Sequence, residues 1–384
     1  MRPAERVQQV PPSGIRKFFE LAEEKEEVVS LGVGEPDFSA PWAARTAAID
    51  SLERGKTSYT SNRGRAELRE AIARHVEQWD LEYDPDSEIL VTTGASEAVD
   101  VAMRAFVDPG DVVAVPQPAY ISYVPGITFA GGESLPVPTH QADDFALTRE
   151  GLESAGAADA DALVLCFPNN PTGATMSEAE LAEVAAFARE HDLTVISDEI
   201  YAALTYEGEH TSIATLPGMR ERTVVINGFS KAYAMTGLRL GYTLAPADAT
   251  DAMNRIHQYA MLSAPTTAQY AAVEALRSCD DEVDSMRREY DRRRRFVISR
   301  FREMGMDCFE ARGAFYAFPR CGGDDEQFAE ELLEAQEVAV VPGSVFGEGG
   351  EGHLRISYAT GMSQLKTAMD RIETFYREEW AGRL

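Results

Sequence analysis

Lysine is scarce in this chain. Of 384 residues only Lys17, Lys25, Lys56, Lys231 and Lys366 carry a side-chain amine, so most of the 36 basic residues are arginine. Positive charge as a whole is outnumbered, because 64 acidic residues leave a net charge of -28. A chain so negative repels polyanions, which argues against nucleic acid and anionic lipid as partners. The same excess suits a cytoplasm of very high salt, where repulsion between surface charges is screened.

Cysteine is sparse too. Cys166, Cys279, Cys308 and Cys321 stand without a CxxC pair, a spacing that suits neither a disulfide framework nor a zinc site, and no metal is expected. No apolar run approaches the roughly 18 residues that a membrane helix needs. The start, MRPAERVQQVPPSG, lacks an apolar segment ending in a small-residue cleavage site, so a cytoplasmic location is expected. Nucleotide-binding signatures are missing as well: no GxGxxG follows the first strand-like run, and no GxxxxGK[ST] occurs.

What is present is globular. Hydrophobic residues make up 44% and charged residues 26%, and the length suits two domains or one large domain with an added lobe. Short apolar, β-branched runs at 89–92, 112–115, 163–166, 194–197, 224–226 and 238–244 alternate with helical periodicity, which argues an α/β core around a mainly parallel sheet. Between two of these runs, MSEAELAEVAAFAREHD sets Ser177 three residues before Glu180, a capping box, and spaces Leu181, Val184, Ala185 and Ala188 along one helix face. After about residue 280 the pattern changes to a long charged helix, then GAFYAFPR, VAVVPGSVFG, HLRISYAT and a last helix ending near Tyr376. This predicts a smaller α+β lobe, with the arginines at 292–295 on a solvated face.

Ligands of α/β sheets bind beyond the carboxyl ends of strands, so the residues after each run are the candidates. Gly94-Ala95-Ser96 opens a helix whose free N–H groups and hydroxyl suit a phosphate, although any strand-to-helix turn uses such residues. FPNNPTG follows the third run; alone it reads as a rigid turn from which Asn169 or Asn170 offers an amide. Asp198, Glu199 and Tyr201 follow the fourth, where an acid either caps the next element or holds a protonated ring nitrogen. Ser230 and Lys231 follow the fifth. A lysine partly buried at a strand end loses proton affinity and becomes a nucleophile towards an aldehyde, chemistry that arginine cannot perform.

With LGVGEPDF (31–38), YTSNRGRAELREAI (59–72), GASEAV (94–99), PNNPTG (168–173), SDEIY (197–201), FSKAYAMTGLRLGY (229–242), GAFYAFP (313–319) and LRISYA (354–359) in order, the chain resembles a class I and II aminotransferase of the fold type I, pyridoxal-phosphate-dependent superfamily. The resemblance implies an aspartate-aminotransferase-like fold with helices on both faces of the sheet. It also implies an N-terminal segment (1–44) joining the small domain, a large cofactor-binding domain (45–280) and a C-terminal small domain (281–384).

It further implies roles. Lys231 holds pyridoxal phosphate covalently and moves the substrate proton, Asp198 pairs with the ring nitrogen, and Tyr201 and Asn170 bond the ring oxygen. Tyr120 stacks on the ring, with Tyr123 a nearby competitor for that place. Ala95, Ser96, Ser230 and Arg239 hold the phosphate, and Tyr59 reaches a neighbouring subunit's phosphate in a homodimer. Arg355 grips the substrate carboxylate, helped by Gly34 and Asn170.

The implied reaction is ping-pong transamination from an aromatic amino acid, aspartate or alanine to a 2-oxo acid such as 2-oxoglutarate. A β-lyase, a decarboxylase and a non-catalytic ligand-binding member share the same machinery. One departure stands out: where some bacterial-type aspartate aminotransferases have a lysine after paired glycines of the phosphate turn, this chain has Ser96. The wording is closer to archaeal broad-specificity enzymes that accept aromatic amino acids, in which a segment corresponding to 15–19 closes over the substrate; in this chain Phe18 and Phe19 either help a hydrophobic side chain bind or pack in the small lobe.

Overall fold

The apolar runs form the centre of the computed structural model, which describes residues 2–12, 14, 15 and 28–383. Numbered along the chain, the strands are β1 (Val29–Ser30), β2 (Ile89–Thr92), β3 (Val112–Gln117), β4 (Glu133–Pro138), β5 (Ala162–Cys166), β6 (Thr194–Asp198), β7 (Thr223–Gly228), β8 (Gly241–Leu244), β9 (Tyr316–Ala317), β10 (Val338–Ala339), β11 (Val341–Pro342) and β12 (Leu354–Ser357). Seven of them make one sheet in the order β2-β8-β7-β6-β5-β3-β4. It is parallel from β7 to β4, while β8 runs against both of its neighbours.

Helices cover both faces, and the strands are accordingly buried: every residue of β2, β5, β7 and β8 is inaccessible to solvent or nearly so. Alternation along the strands sorts side chains between two layers. Leu163, Leu165 and Val195 enter one apolar cluster, and Ala162, Val164, Cys166 and Ile196 enter the other. The helix Glu178–Glu190 starts at the expected capping box and buries Leu181, Val184, Ala185 and Ala188.

The sheet departs from the expected runs in two places. Only Gly241–Leu244 of the run at 238–244 is a strand, because Arg239 adopts a left-handed backbone (φ 54°) that turns the chain before pairing begins. Strand β4 is additional; Pro136 and Pro138 disguise it, and a proline is tolerated there because β4 lies at the sheet edge.

The last third of the chain builds around the 25-residue helix Asp280–Met304 and a three-stranded antiparallel sheet, β11-β12-β9. Strand β1 pairs in parallel with β10, Val29 opposite Val338, which ties the N-terminal segment to this part of the molecule.

The expectation of a solvated arginine run is corrected here. Arg292 and Arg295 are exposed, but Arg293 and Arg294 are buried. Arg293 donates to Glu289 and Asp37 (2.9 and 2.8 Å), and Arg294 to Asp291, Glu207 and the Ala311 carbonyl (2.8, 2.6 and 2.7 Å). The helix's buried stripe, Met286, Tyr290, Val297 and Phe301, passes through these two positions, and carboxylates from other segments meet the guanidinium groups there.

All four cysteines are buried and free. Among the described residues no helix is long and apolar enough to cross a membrane.

Candidate active site

Past the carboxyl ends of the parallel strands lies a cavity of about 480 Å³, within the range of roughly 300–1,000 Å³ of ligand sites. Lys231, Asp198, Tyr201, Ala95, Ser96, Tyr120, Asn170, Ser230, Arg239, Gly34 and Arg355 all line it. Tyr59 does not; it is 80% exposed on the outer surface.

The floor is Asp198, the last residue of β6 rather than the first beyond it. Strand alternation turns it to the layer of Cys166 and Ile196, where Tyr123 donates to its Oδ2 at 2.7 Å and the Ile200 N–H to its Oδ1 at 3.2 Å. Burial pushes the carboxyl up to about 6, against these two bonds, which favour the charged form. Tyr123, committed to Asp198, is fully buried, and its ring meets Tyr120 edge to face at 5.5 Å.

An anion seat closes one end. Gly94 (φ +81°) ends the turn after β2 and opens the helix Ala95–Phe106, whose first N–H groups lack helical partners. A Cβ on Gly94 would stand 2.8 Å from Nη2 of Arg239, so only glycine lets the guanidinium come against the turn. The left-handed backbone of Arg239 directs it there, and the Thr236 carbonyl accepts from its Nη1 at 2.9 Å.

At the other end Arg355, on β12, is 3% exposed. It donates to Asn170 Oδ1 at 3.0 Å and to the Gly32 carbonyl at 2.6 Å, and among the described residues it has no carboxylate partner. Its Nε is buried without a partner among the described residues, and burial lowers its proton affinity. A buried guanidinium left this way is prepared for an anion from outside the chain.

Between the two ends stands Lys231, half-buried, donating from Nζ to the Gly34 carbonyl at 2.6 Å. Burial, and then the charge of Arg355, lower its amine to about 8, while Glu35 and Asp198 pull the other way. The cavity therefore offers a nucleophilic amine, a carboxylate, an anion seat and a guanidinium with no carboxylate partner among the described residues. The donor set fits a phosphorylated pyridine aldehyde, whose phosphate would be held by Ala95, Ser96, Ser230 and Arg239 and whose ring nitrogen would be held by Asp198.

Sequence reasoning gave no role to Tyr316, although its motif was noted. From β9 its hydroxyl bonds that of Tyr201 at 2.8 Å, and the Arg355 guanidinium lies 4.8 Å over its ring. Gly34 lacks the Cβ that would collide with the same hydroxyl. Ile15 lines the cavity, while Phe18 and Phe19 lie outside the described residues.

The geometry agrees with comparisons to known proteins. The family model described as aminotransferase class I and II matches residues 26–372. The chain is 44% identical to an aspartate aminotransferase of Pyrococcus abyssi, over 99% of each, and 42% identical to aromatic-amino-acid aminotransferase 2 of Thermococcus litoralis, over 98% of each. Among solved structures, the aspartate aminotransferase of Thermus thermophilus with maleate matches with a TM-score of 0.91 at 37% identity, covering 97% of this chain and 99% of that one.

Proposed function

The chain belongs to the class I and II aminotransferases, pyridoxal 5'-phosphate enzymes, and from that premise we propose a ping-pong transaminase that takes the amino group of an aromatic amino acid, aspartate or alanine and passes it to a 2-oxo acid such as 2-oxoglutarate. When bound, the cofactor supplies an electron sink for the charge left as the α-proton departs. The remaining work falls to the chain. Lys231 is assigned the covalent hold on the cofactor and, once free, the movement of the proton at the substrate Cα. Asp198 holds the ring nitrogen protonated; Tyr201 and Asn170 bond the ring oxygen, and Tyr120 covers one face of the ring. Arg355, with Asn170 and the backbone of Gly34, orients the carboxylate common to every amino acid and 2-oxo acid.

One observation carries this reading: a buried guanidinium with no carboxylate partner among the described residues faces the same cavity as a lysine lowered to about 8. Aspartate and aromatic donors are supported by the names of the two relatives. A homodimer is supported by an exposed apolar patch. The loop carrying Tyr59 and the helix end carrying Tyr259, with Met261 and Leu262 just beyond it, are joined by Asn62 to the Leu262 carbonyl (2.6 Å) and by Thr266 to the Ser58 carbonyl (2.8 Å), and Tyr59, Tyr259, Met261 and Leu262 stay 80, 90, 50 and 41% exposed. A second copy covering this patch brings Tyr59 to the neighbour's phosphate. The β1–β10 pairing supports grouping residues 1–44 with 281–384 as one small domain beside 45–280. The charge of -28 supports a cytoplasm of high salt.

The test is an absorption spectrum of the purified protein in high salt, with Lys231→Ala as control. The visible cofactor band should disappear on adding tyrosine, aspartate or alanine and return with 2-oxoglutarate. Continuous turnover without a 2-oxo acid would overturn transamination in favour of a lyase or decarboxylase.

A further inference from the structure

Behind the anion seat lies a buried carboxylate–imidazole hydrogen bond with no part in the chemistry above. Glu97 stands in the first turn of the helix Ala95–Phe106, and its Oε1 accepts from Nδ1 of His257 at 2.6 Å. Its Oε2 accepts from the backbone N–H of Thr93, one residue before Gly94. His257, on the neighbouring helix Ala247–Ala260, is fully buried, and its Nε2 has no partner among the described residues. A carboxylate oxygen only accepts, so in this contact His257 donates from Nδ1 to Glu97.

A carboxylate in this turn is a hazard for anion binding. It carries the same sign as a phosphate and lies beside the same free N–H groups. In this structure both its oxygens are occupied: one holds the turn in place and the other is held by His257. Thr92 completes the turn, its hydroxyl donating to the Gly94 carbonyl at 3.0 Å. If the imidazole donor is removed, Oε1 is left buried and unmet, and the N–H groups of Ala95 and Ser96, at the start of the same helix, are donors without helical partners.

We infer that His257 is a positioning residue for the phosphate of the cofactor, acting by keeping Glu97 on the Thr93 side of the turn and out of the anion seat. The inference rests on pyridoxal phosphate occupying this cavity. It goes further in assigning His257 and Glu97 a selective effect on the phosphate end, separate from the amine and the ring.

The experiment measures dissociation constants of cofactor-free, full-length protein for pyridoxal phosphate and for unphosphorylated pyridoxal, by fluorescence titration at one fixed high salt concentration. Removing the donor with His257→Leu should weaken pyridoxal phosphate about tenfold and leave pyridoxal nearly unchanged. His257→Asn, whose amide N–H stands near the place of Nδ1, should recover most of the lost affinity. Equal weakening of both ligands, no change in either, or an Asn variant as poor as the Leu variant would each overturn the inference. Should His257→Leu yield no folded protein, His257→Met fills similar space without a donor and carries the same comparison. A parent protein that binds pyridoxal phosphate no better than pyridoxal would instead overturn the assignment of the anion seat.

Discussion

The Tyr123 hydroxyl donates to Oδ2 of Asp198 at 2.7 Å, across 75 positions of sequence. This bond opposes the burial that pushes the carboxyl up to about 6. Tyr123→Phe removes it, so the carboxyl titrates higher and less of it is charged at a given pH. Transamination kcat/KM should fall about tenfold near pH 7. The deficit should shrink as pH rises, since Asp198 then ionises without help. A pH profile of parent and variant checks this; a deficit independent of pH would assign Tyr123 to packing alone.

Lys231 reacts only as the free amine, and burial lowers it to about 8. The rate at which cofactor-free protein recaptures pyridoxal phosphate should therefore rise with pH and level off just above pH 8. An ordinary lysine would keep the rate rising to about pH 10. Stopped-flow absorbance reads the rate, and Lys231→Arg should show no covalent capture at any pH.

Arg355→Lys keeps a positive charge but loses the planar fork. The KM for amino donor and 2-oxo acid should both rise, with kcat/KM down roughly 100-fold, while the absorption of the bound cofactor stays as in the parent. A change in cofactor spectrum with an unchanged KM would contradict the assignment of the substrate carboxylate to this residue.

If each cavity is completed by the neighbour's Tyr59, subunits carrying Lys231→Ala and Tyr59→Ala complement one another. In a mixed population of equal parts, hybrid dimers should restore full activity to about a quarter of the sites. Activity no higher than the mean of the two separate variants would exclude a shared site.

The excess of acid predicts a marked response to salt. Thermal midpoints should rise steadily from low salt to multimolar KCl as like charges are screened. A protein indifferent to salt would remove the argument for a saline cytoplasm.

Sequence reasoning located much of the cavity because strand ends are where an α/β fold keeps its ligands. Lys231, Ser230 and the Gly94 turn follow buried apolar runs, and that pattern survives without coordinates. The bonds between side chains were less legible. Spacing says nothing of the partnership of Tyr123 with Asp198, or of Tyr201 with Tyr316, 115 positions away. Arg293 and Arg294 were misread because charge outweighed periodicity. The i, i+4 stripe through Met286, Tyr290, Val297 and Phe301 already ran past them, but the carboxylates that make their burial tolerable, Asp37 and Glu207, come from distant segments.

The pairing of β1 with β10 also bears on the order in which the molecule is made. Residues 28–34 leave the ribosome early, yet Val29 waits for Val338, and the carbonyl of Gly32 waits for Arg355, 323 positions later. All seven strands of the large sheet lie at or before Leu244, so they are available while about a third of the chain is still to be synthesised. The nascent protein can therefore present the lysine, Asp198 and the phosphate turn well before it can present the carboxylate clamp. The two ends of the cavity are thus completed at different times, the Gly94 turn and the Lys231 amine first and the Arg355 guanidinium last.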